Sequence, residues 1–370
     1  MKIVIDSNIP FIKGVLEPYA KIEYAEGSTI DSNILADADA MVIRSRTICN
    51  RELLDDTAVK FIGTATIGTD HIDLDWCRSS GIEVASAPGC NAASVMQYIA
   101  SSLAYLVMKY KIDPPKTTVG LIGIGNVGSR VAKMTEAFGF RTLLNDPPRQ
   151  RDEGDRGFSA INEITDKSDI LSIHVPLTYE GRDKTFRMVD EKFLSALKEG
   201  AIVINTSRGE VIEENALLDY LKLNRVKAAL LDVWNKEPHI NRQLLNMTDI
   251  STPHIAGYSL DGKARGTAMI VNRLAEHFKL PLARWEPEPL PSPDNPVIDI
   301  SAFKGDDHSI ISRAILHTYN VEDDSAMLKK EPWMFEQLRN NYHHRREFGA
   351  YKIQGHRNEL IKRLQKMGFK

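Results

Sequence analysis

The stretch Val119-Gly120-Leu121-Ile122-Gly123-Ile124-Gly125-Asn126-Val127-Gly128 decides the fold. The apolar, β-branched run ending at Ile122 predicts a strand over Thr117–Ile122. A helix is expected over Asn126–Phe138, because Val127, Val131, Met134 and Phe138 fall on one apolar face. Gly123, Gly125 and Gly128 lie between and just inside these elements, at the spacing of a phosphate-cradling loop. Gly123 permits the tight turn, Gly125 lets backbone amides approach a pyrophosphate, and Gly128 allows the helix to pack closely. The helix N-terminus adds partial positive charge. Asp146 follows 18 positions after Gly128, at the end of the next expected strand, Thr142–Asn145. Its carboxylate suits the two adenosine ribose hydroxyls and repels a 2′-phosphate, so NAD is expected over NADP. Arg149 and Arg151 come just after it and are of the type that holds a 2′-phosphate.

Outward from this loop the chain alternates strands and helices, the pattern of parallel sheets covered on both faces. Upstream, strands are expected at Lys2–Ile5, Ile22–Tyr24, Ala40–Ile43, Val59–Ile62 and Ile82–Val84, with helical segments at 8–19, 50–57 and 70–80. Downstream, Asp169–Val175, Ala201–Asn205, Ala228–Val233 and Asp249–Ser251 read as strands, and 214–223 and 259–279 as helices. From Val84 to Met108 there is no charged residue. Gln97 and several serines and alanines interrupt that run, so it reads as a buried helix with close packing and not as a membrane span. Pro114-Pro115 ends it.

Composition sets the remaining bounds. The 370 residues are 42% hydrophobic and 26% charged, ordinary for a folded protein of several domains. A net charge of −3 gives no basic excess to draw nucleic acid or an anionic membrane. Cys49, Cys77 and Cys90, odd in number and without paired spacing, oppose a disulfide framework and fit a cytoplasmic setting. Asp6 interrupts the apolar N-terminal run too early for a signal peptide.

Three expected strand ends carry unusual polar groups. They are Asn205-Thr206-Ser207-Arg208-Gly209, Asp232-Val233-Trp234-Asn235-Lys236-Glu237-Pro238 and Thr252-Pro253-His254-Ile255-Ala256-Gly257-Tyr258. Ligands of open α/β sheets bind beyond such carboxyl ends, so all three loops should face the same crevice. Arg208, Glu237 and His254 then supply what hydride chemistry at a hydroxyl-bearing carbon requires. His254 takes the hydroxyl proton, Glu237 fixes its tautomer and favours the imidazolium, and Arg208 clamps a substrate carboxylate.

These motifs, with HVPLT at 174–178, NTSRGE at 205–210, DVWNKEP at 232–238 and TPHIAGYS at 252–259, resemble the D-isomer-specific 2-hydroxyacid dehydrogenases of the formate/glycerate dehydrogenase type. The resemblance covers about residues 1–280 and implies an NAD-dependent oxidoreductase with the catalytic set Arg208, Glu237 and His254. It implies an α/β fold of two Rossmann-like doubly wound parallel-sheet domains plus a smaller C-terminal α+β dimerisation domain. The substrate domain would be discontinuous (1–92 and 257–281), with the NAD domain at 93–256, a Pro-rich linker at 282–296 and the dimerisation domain at 297–370. Six of the 17 prolines lie in 281–296. The uncharged 92–108 helix would join the domains and pack at a subunit interface.

MKIVIDSNIPF at the N-terminus, IRSRT at 43–47, GTATIGTDHID at 63–73 and HIAGYSLDGKARGT at 254–267 resemble one branch of that family, which oxidises a phosphorylated four-carbon 2-hydroxy acid in bacterial vitamin B6 synthesis. Carried over residue by residue, Ser45, Thr66 and Tyr258 would contact substrate. NAD would be held by Gly123, Gly125, Asn126, Val127, Gly128, Asp146, Val175, Thr206, Asp232 and Gly257. Arg44 and Arg46, alternate residues of an extended chain, are expected to approach one phosphate. Hinges are expected near 92 and 257. A broader 2-hydroxyacid or 3-phosphoglycerate dehydrogenase shares the same kit, and an NADH-sensing binding protein shares the fold. His308, His317, His343, His344 and His356 lack ligand spacing for a metal and are expected at the surface or an interface.

Overall fold

The computed structural model describes residues 1–154, 157–282, 284–343 and 345–370, so His344 lies outside the described residues. The chain forms two compact units, Met1–Asn91 with Ser259–Pro291, and Ala92–Tyr258 with Ser292–Lys370.

The first unit is built on a parallel sheet in the order β2-β1-β3-β4-β5. Its strands are β1 (Lys2–Asp6), β2 (Lys21–Ala25), β3 (Ala40–Ile43), β4 (Phe61–Thr64) and β5 (Glu83–Ala85). Each register follows from a short apolar run, and β1, β3 and β4 are buried almost throughout, as strands covered on both faces must be. The Leu260–His277 helix closes one face, with Ile270 packed over Gly63, where a Cβ would lie 2.4 Å from the isoleucine methyl. One expectation fails. Residues 8–19 form successive turns and no helix, because Pro10, Pro18 and a left-handed Phe11 (φ 65°) and Gly14 (φ 84°) interrupt any helical ladder.

The second unit holds a parallel sheet in the order β11-β10-β9-β8-β6-β7. The strands are β6 (Thr118–Ile122), β7 (Arg141–Asn145), β8 (Ile170–Ile173), β9 (Ala201–Asn205), β10 (Val226–Leu231) and β11 (Ile250–Ser251). The strand order reverses between β6 and β8, which places the ligand crevice at their carboxyl ends. A two-stranded parallel sheet, β12 (Val297–Asp299) with β13 (Lys352–Gln354), lies in the C-terminal segment. That segment also contains helices Asp307–Thr318, Val321–Lys330, Phe335–Asn340 and Asn358–Met367.

The Ala92–Tyr110 helix explains its own uncharged sequence. Fifteen of its nineteen residues are buried, and its polar groups are used internally. Ser94 donates to Glu347 Oε1 (2.8 Å), Gln97 Nε2 to Thr318 Oγ1 (3.1 Å), and Ser101 to the Tyr319 carbonyl (2.9 Å). The face expected at a subunit interface is therefore occupied by the chain's own C-terminal segment. Small residues were needed for close approach, as read from the sequence, but the partner is intramolecular. Among the described residues no helix is long and apolar enough to cross a membrane, and the three cysteines are buried and unbridged.

Candidate active site

The glycine loop leaves β6 with Gly123 at φ 87°, a left-handed conformation that costs a glycine little. A side chain there would also lie 2.7 Å from the His174 backbone at the end of β8. Gly128 sits inside the first turn of the Asn126–Phe138 helix, where a Cβ would fall 2.0 Å from the Gly123 carbonyl oxygen. Gly125, in contrast, faces open space, with no atom within 4 Å of a Cβ position. No side chain caps this helix N-terminus. An exposed loop, a clear cradle and an uncapped helix start fit a dinucleotide pyrophosphate.

Asp146 stands beside that loop. One carboxylate oxygen accepts from the Ile124 amide (2.7 Å) and the other from Arg149 N (3.0 Å), capping the Pro147–Glu153 helix. The two arginines that could have held a 2′-phosphate are committed elsewhere. Arg149 forms a fork on Glu153 (2.7 and 2.8 Å) and also donates to the Ile124 carbonyl, while Arg151 pairs with Asp183. Val175 and Thr206 are half-buried at the ends of β8 and β9. His174 touches both sides of this crevice through Ser172 Oγ (3.0 Å) and Thr206 Oγ1 (3.4 Å), and desolvation pushes its pKa down to about 3. It is neutral there at any physiological pH.

The catalytic candidates lie on the next three strand ends, where Glu237 and His254 meet and the Arg208 guanidinium donates to the Ser207 carbonyl (2.8 Å). Asn205 moulds the first loop, accepting from Ser207 N (3.0 Å) and Oγ (2.7 Å) and donating to the Arg208 carbonyl (2.9 Å). Gly209 brings that loop against the backbone of Trp234, 2.1 Å from a would-be Cβ. In the second loop Trp234 N donates to Glu237 Oε1 (3.0 Å), which turns the other carboxylate oxygen toward the third loop. There His254 Nδ1 lies 2.8 Å from Glu237 Oε2. A carboxylate can only accept, so Nδ1 carries the proton and Nε2 is left to accept one.

Asp232 builds the third loop. Its carboxylate accepts from Thr252 Oγ1 (2.6 Å), Ile255 N (2.7 Å) and Ala256 N (2.9 Å), and its carbonyl accepts from His254 N (2.8 Å). These four bonds hold His254 at φ 57°, a conformation rare for a residue with a side chain. Tyr98 donates to Thr252 Oγ1 (2.7 Å), tying the loop to the buried Ala92–Tyr110 helix. Asp232 is 1% exposed, so its first task is to shape the loop. Burial alone would push the Glu237 carboxyl up, but the bond and charge of His254, the Trp234 amide and the charge of Arg339 outweigh it and hold Glu237 below its ordinary range.

Arg339 was not legible as a site residue. It lies in the Phe335–Asn340 helix, its Nε donates to the Tyr258 hydroxyl (3.1 Å), and its Nη1 is 3.7 Å from Glu237 Oε2. Gly257 and Tyr258 complete this loop, both half-buried. The only signal in the sequence was the basic and aromatic character of the C-terminal region.

The remaining candidates, Arg44, Ser45, Arg46 and Thr66, belong to the first unit. β3 ends at Ile43 and Ser45–Arg46 form a turn, so strand alternation does not pair the two arginines. Arg46 Nη1 lies 3.7 Å from Glu26, whereas the charge of Arg44 reaches Lys263 on the Leu260–His277 helix. Burial and that neighbouring cation push the Lys263 ammonium below its ordinary range. Thr66 bonds Thr64 (2.6 Å) and donates to the Gly68 carbonyl (2.9 Å). Among the described residues no group of three or more His, Cys, Asp or Glu side chains is placed to hold a metal. His317 Nε2 donates to the Asn295 carbonyl (3.0 Å).

Comparison with known proteins agrees with this geometry. Residues 107–256 match the D-isomer specific 2-hydroxyacid dehydrogenase NAD binding domain, and residues 290–368 match a domain of unknown function, DUF3410. An erythronate-4-phosphate dehydrogenase of Bacteroides thetaiotaomicron is 48% identical over 356 residues, spanning 96% of this chain and 99% of that protein. Another, from Cronobacter sakazakii, is 40% identical over 373 residues, covering 100% of this chain and 98% of its own length. The structure of D-lactate dehydrogenase from Aquifex aeolicus, complexed with NAD and lactic acid, matches with a TM-score of 0.63 and 27% identity, covering 79% of this chain and 100% of that one. Near-complete coverage at such identity, together with the NAD domain, places this chain: it belongs to the erythronate-4-phosphate dehydrogenase family of NAD-dependent D-2-hydroxyacid dehydrogenases.

Proposed function

We propose that the protein oxidises 4-phospho-D-erythronate at C2, giving 2-oxo-3-hydroxy-4-phosphobutanoate, a step of pyridoxal 5′-phosphate synthesis. The observation that carries this is the 2.8 Å pair of His254 Nδ1 and Glu237 Oε2, with Nε2 left to accept a proton, in a chain of this family. Gly123, Gly125, Asn126, Val127, Gly128 and Asp146 would hold NAD, with Val175, Thr206, Asp232 and Gly257 lining the same crevice. When bound, NAD supplies the hydride acceptor. His254 Nε2 takes the C2 hydroxyl proton as the carbonyl forms, and Glu237 stabilises the resulting imidazolium. Arg208 orients the substrate carboxylate through parallel hydrogen bonds.

The substrate phosphate is assigned to the first unit, with Ser45 and Thr66 as further contacts. Arg44 and Lys263 are its natural cations. The charges of Arg44 and Lys263 act on each other, so an anion between them is favoured, and Arg46 lies 3.7 Å from Glu26. A homodimer held by the C-terminal segment in the cytoplasm is part of this reading. Exposed Met327 and Trp333 on that segment support it, and sedimentation of the intact chain tests it.

The test is NADH formation with 4-phosphoerythronate, 3-phosphoglycerate and D-lactate side by side, using a 2-oxoacid sink. Preference for 4-phosphoerythronate, abolished in His254→Ala, is expected. Loss of the general base should cost ~10²–10⁴ in rate. Equal use of all three acids would remove the substrate assignment, and retained turnover in His254→Ala would remove the mechanism.

A further inference from the structure

The C-terminal segment reaches the catalytic loop along its length. At the root of the loop, Ser251 N donates to Ser325 Oγ (2.9 Å). Farther along, Arg345 Nη2 donates to the Ala256 carbonyl (2.7 Å), with its buried guanidinium 4.1 Å from the Tyr319 ring centroid. At the far end, Arg339 holds the Tyr258 hydroxyl and brings Nη1 to 3.7 Å from the oxygen of Glu237 that faces His254. Only the last contact brings charge to the reacting pair.

We infer that Arg339 is a positioning residue for the Glu237–His254 pair, so that the C-terminal segment forms part of the catalytic apparatus. The inference rests on the dehydrogenase function proposed above and gives the segment a role in it. A guanidinium at this place acts in two ways of the same sign. It shares the carboxylate charge that would otherwise act wholly on His254, and it opposes an imidazolium directly. Either way it favours the neutral imidazole that must accept a proton. Its bond to Tyr258 also fixes a residue beside the site. Other charges felt here among the described residues are Asp232, beneath His254 and itself facing the buried Arg345 guanidinium, and Glu214, whose charge is felt with that of Glu237. Arg339 is the arginine whose charge acts on Glu237 itself.

The test compares pH profiles of kcat/KM for oxidation at fixed ionic strength in Arg339→Met, Arg339→Lys and Glu237→Gln. Substrate ionisation is common to all and cancels. Arg339→Met should move the acid limb to higher pH, by about half a unit since the group is partly exposed and screened. Arg339→Lys should return the limb toward wild type while KM rises, because a lysine keeps the charge and loses the Nε donor held on Tyr258. In a Glu237→Gln background the shift from Arg339→Met should shrink. An unmoved limb in Arg339→Met, or a full shift without Glu237, would overturn the inference. Should Arg339→Met not fold, Arg339→Gln with the same readout serves. Loss of turnover in His254→Ala with no limb shift at Arg339 would remove this inference alone, whereas turnover retained in His254→Ala would remove the function beneath it.

Discussion

Replacing Glu237 by Gln preserves the shape of the catalytic pair and removes its charge. The two atoms are 2.8 Å apart, and the side chains are 18% and 29% exposed, so the interaction is charge-assisted but not fully desolvated. A hydrogen bond to a charged group contributes about 1.5–3 kcal/mol, and one pH unit corresponds to about 1.4 kcal/mol. Exposure and the sharing of Glu237 with Arg339 place this pair toward the lower end. The acid limb for oxidation should therefore move by about one unit. The sign is fixed by the chemistry. Neutral His254 is the reactive form, the carboxylate favours the protonated form, and removing the charge moves the limb to lower pH. On the plateau kcat should fall about tenfold or more, because the imidazolium formed in the step loses its counter-charge. NADH absorbance across pH 5 to 9 reads both quantities. A limb that stays in place, or moves upward, would refute the pairing of Glu237 with His254 as the source of basicity.

Two further outcomes follow from the same geometry. Gly128→Ala would put a methyl 2.0 Å from the Gly123 carbonyl, forcing the loop and helix apart. Overpacking of this kind costs about 1–3 kcal/mol, and NAD affinity measured by fluorescence titration should fall about tenfold, while Gly125→Ala, with open space at its Cβ, should fold normally and still lose NAD binding. Lys263→Met removes a half-buried cation whose charge meets that of Arg44, so KM for 4-phosphoerythronate should rise more than KM for D-lactate. An unchanged KM for 4-phosphoerythronate would refute the anion-site assignment.

What was legible in the sequence was legible for local reasons. The glycine spacing, the apolar face of Asn126–Phe138 and the polar runs after β9, β10 and β11 all express constraints within a dozen residues. They located Arg208, Glu237 and His254, and the structure joins Glu237 to His254 directly. Asp232, expected at the cofactor, turns its carboxylate to the 252–256 loop, since only the fold shows which amides surround it. The same limit hid Arg339 and Lys263, which act on loops 81 positions and more away in the chain. Residues 8–19 were misread because their apolar spacing suits a helix while Pro10, Gly14 and Pro18 do not.

The short strand β11 is the outermost strand of its sheet. Left bare, its outer row of amides and carbonyls would offer a template for another chain to extend. The Val321–Lys330 helix lies against it, and the Ser325 hydroxyl takes up the Ser251 amide. Cutting the chain before Ser292 would therefore uncover a sticky border as well as remove Arg339. The truncated protein should be lost to aggregation before its slower chemistry could be measured, which makes point variants the informative route to this segment.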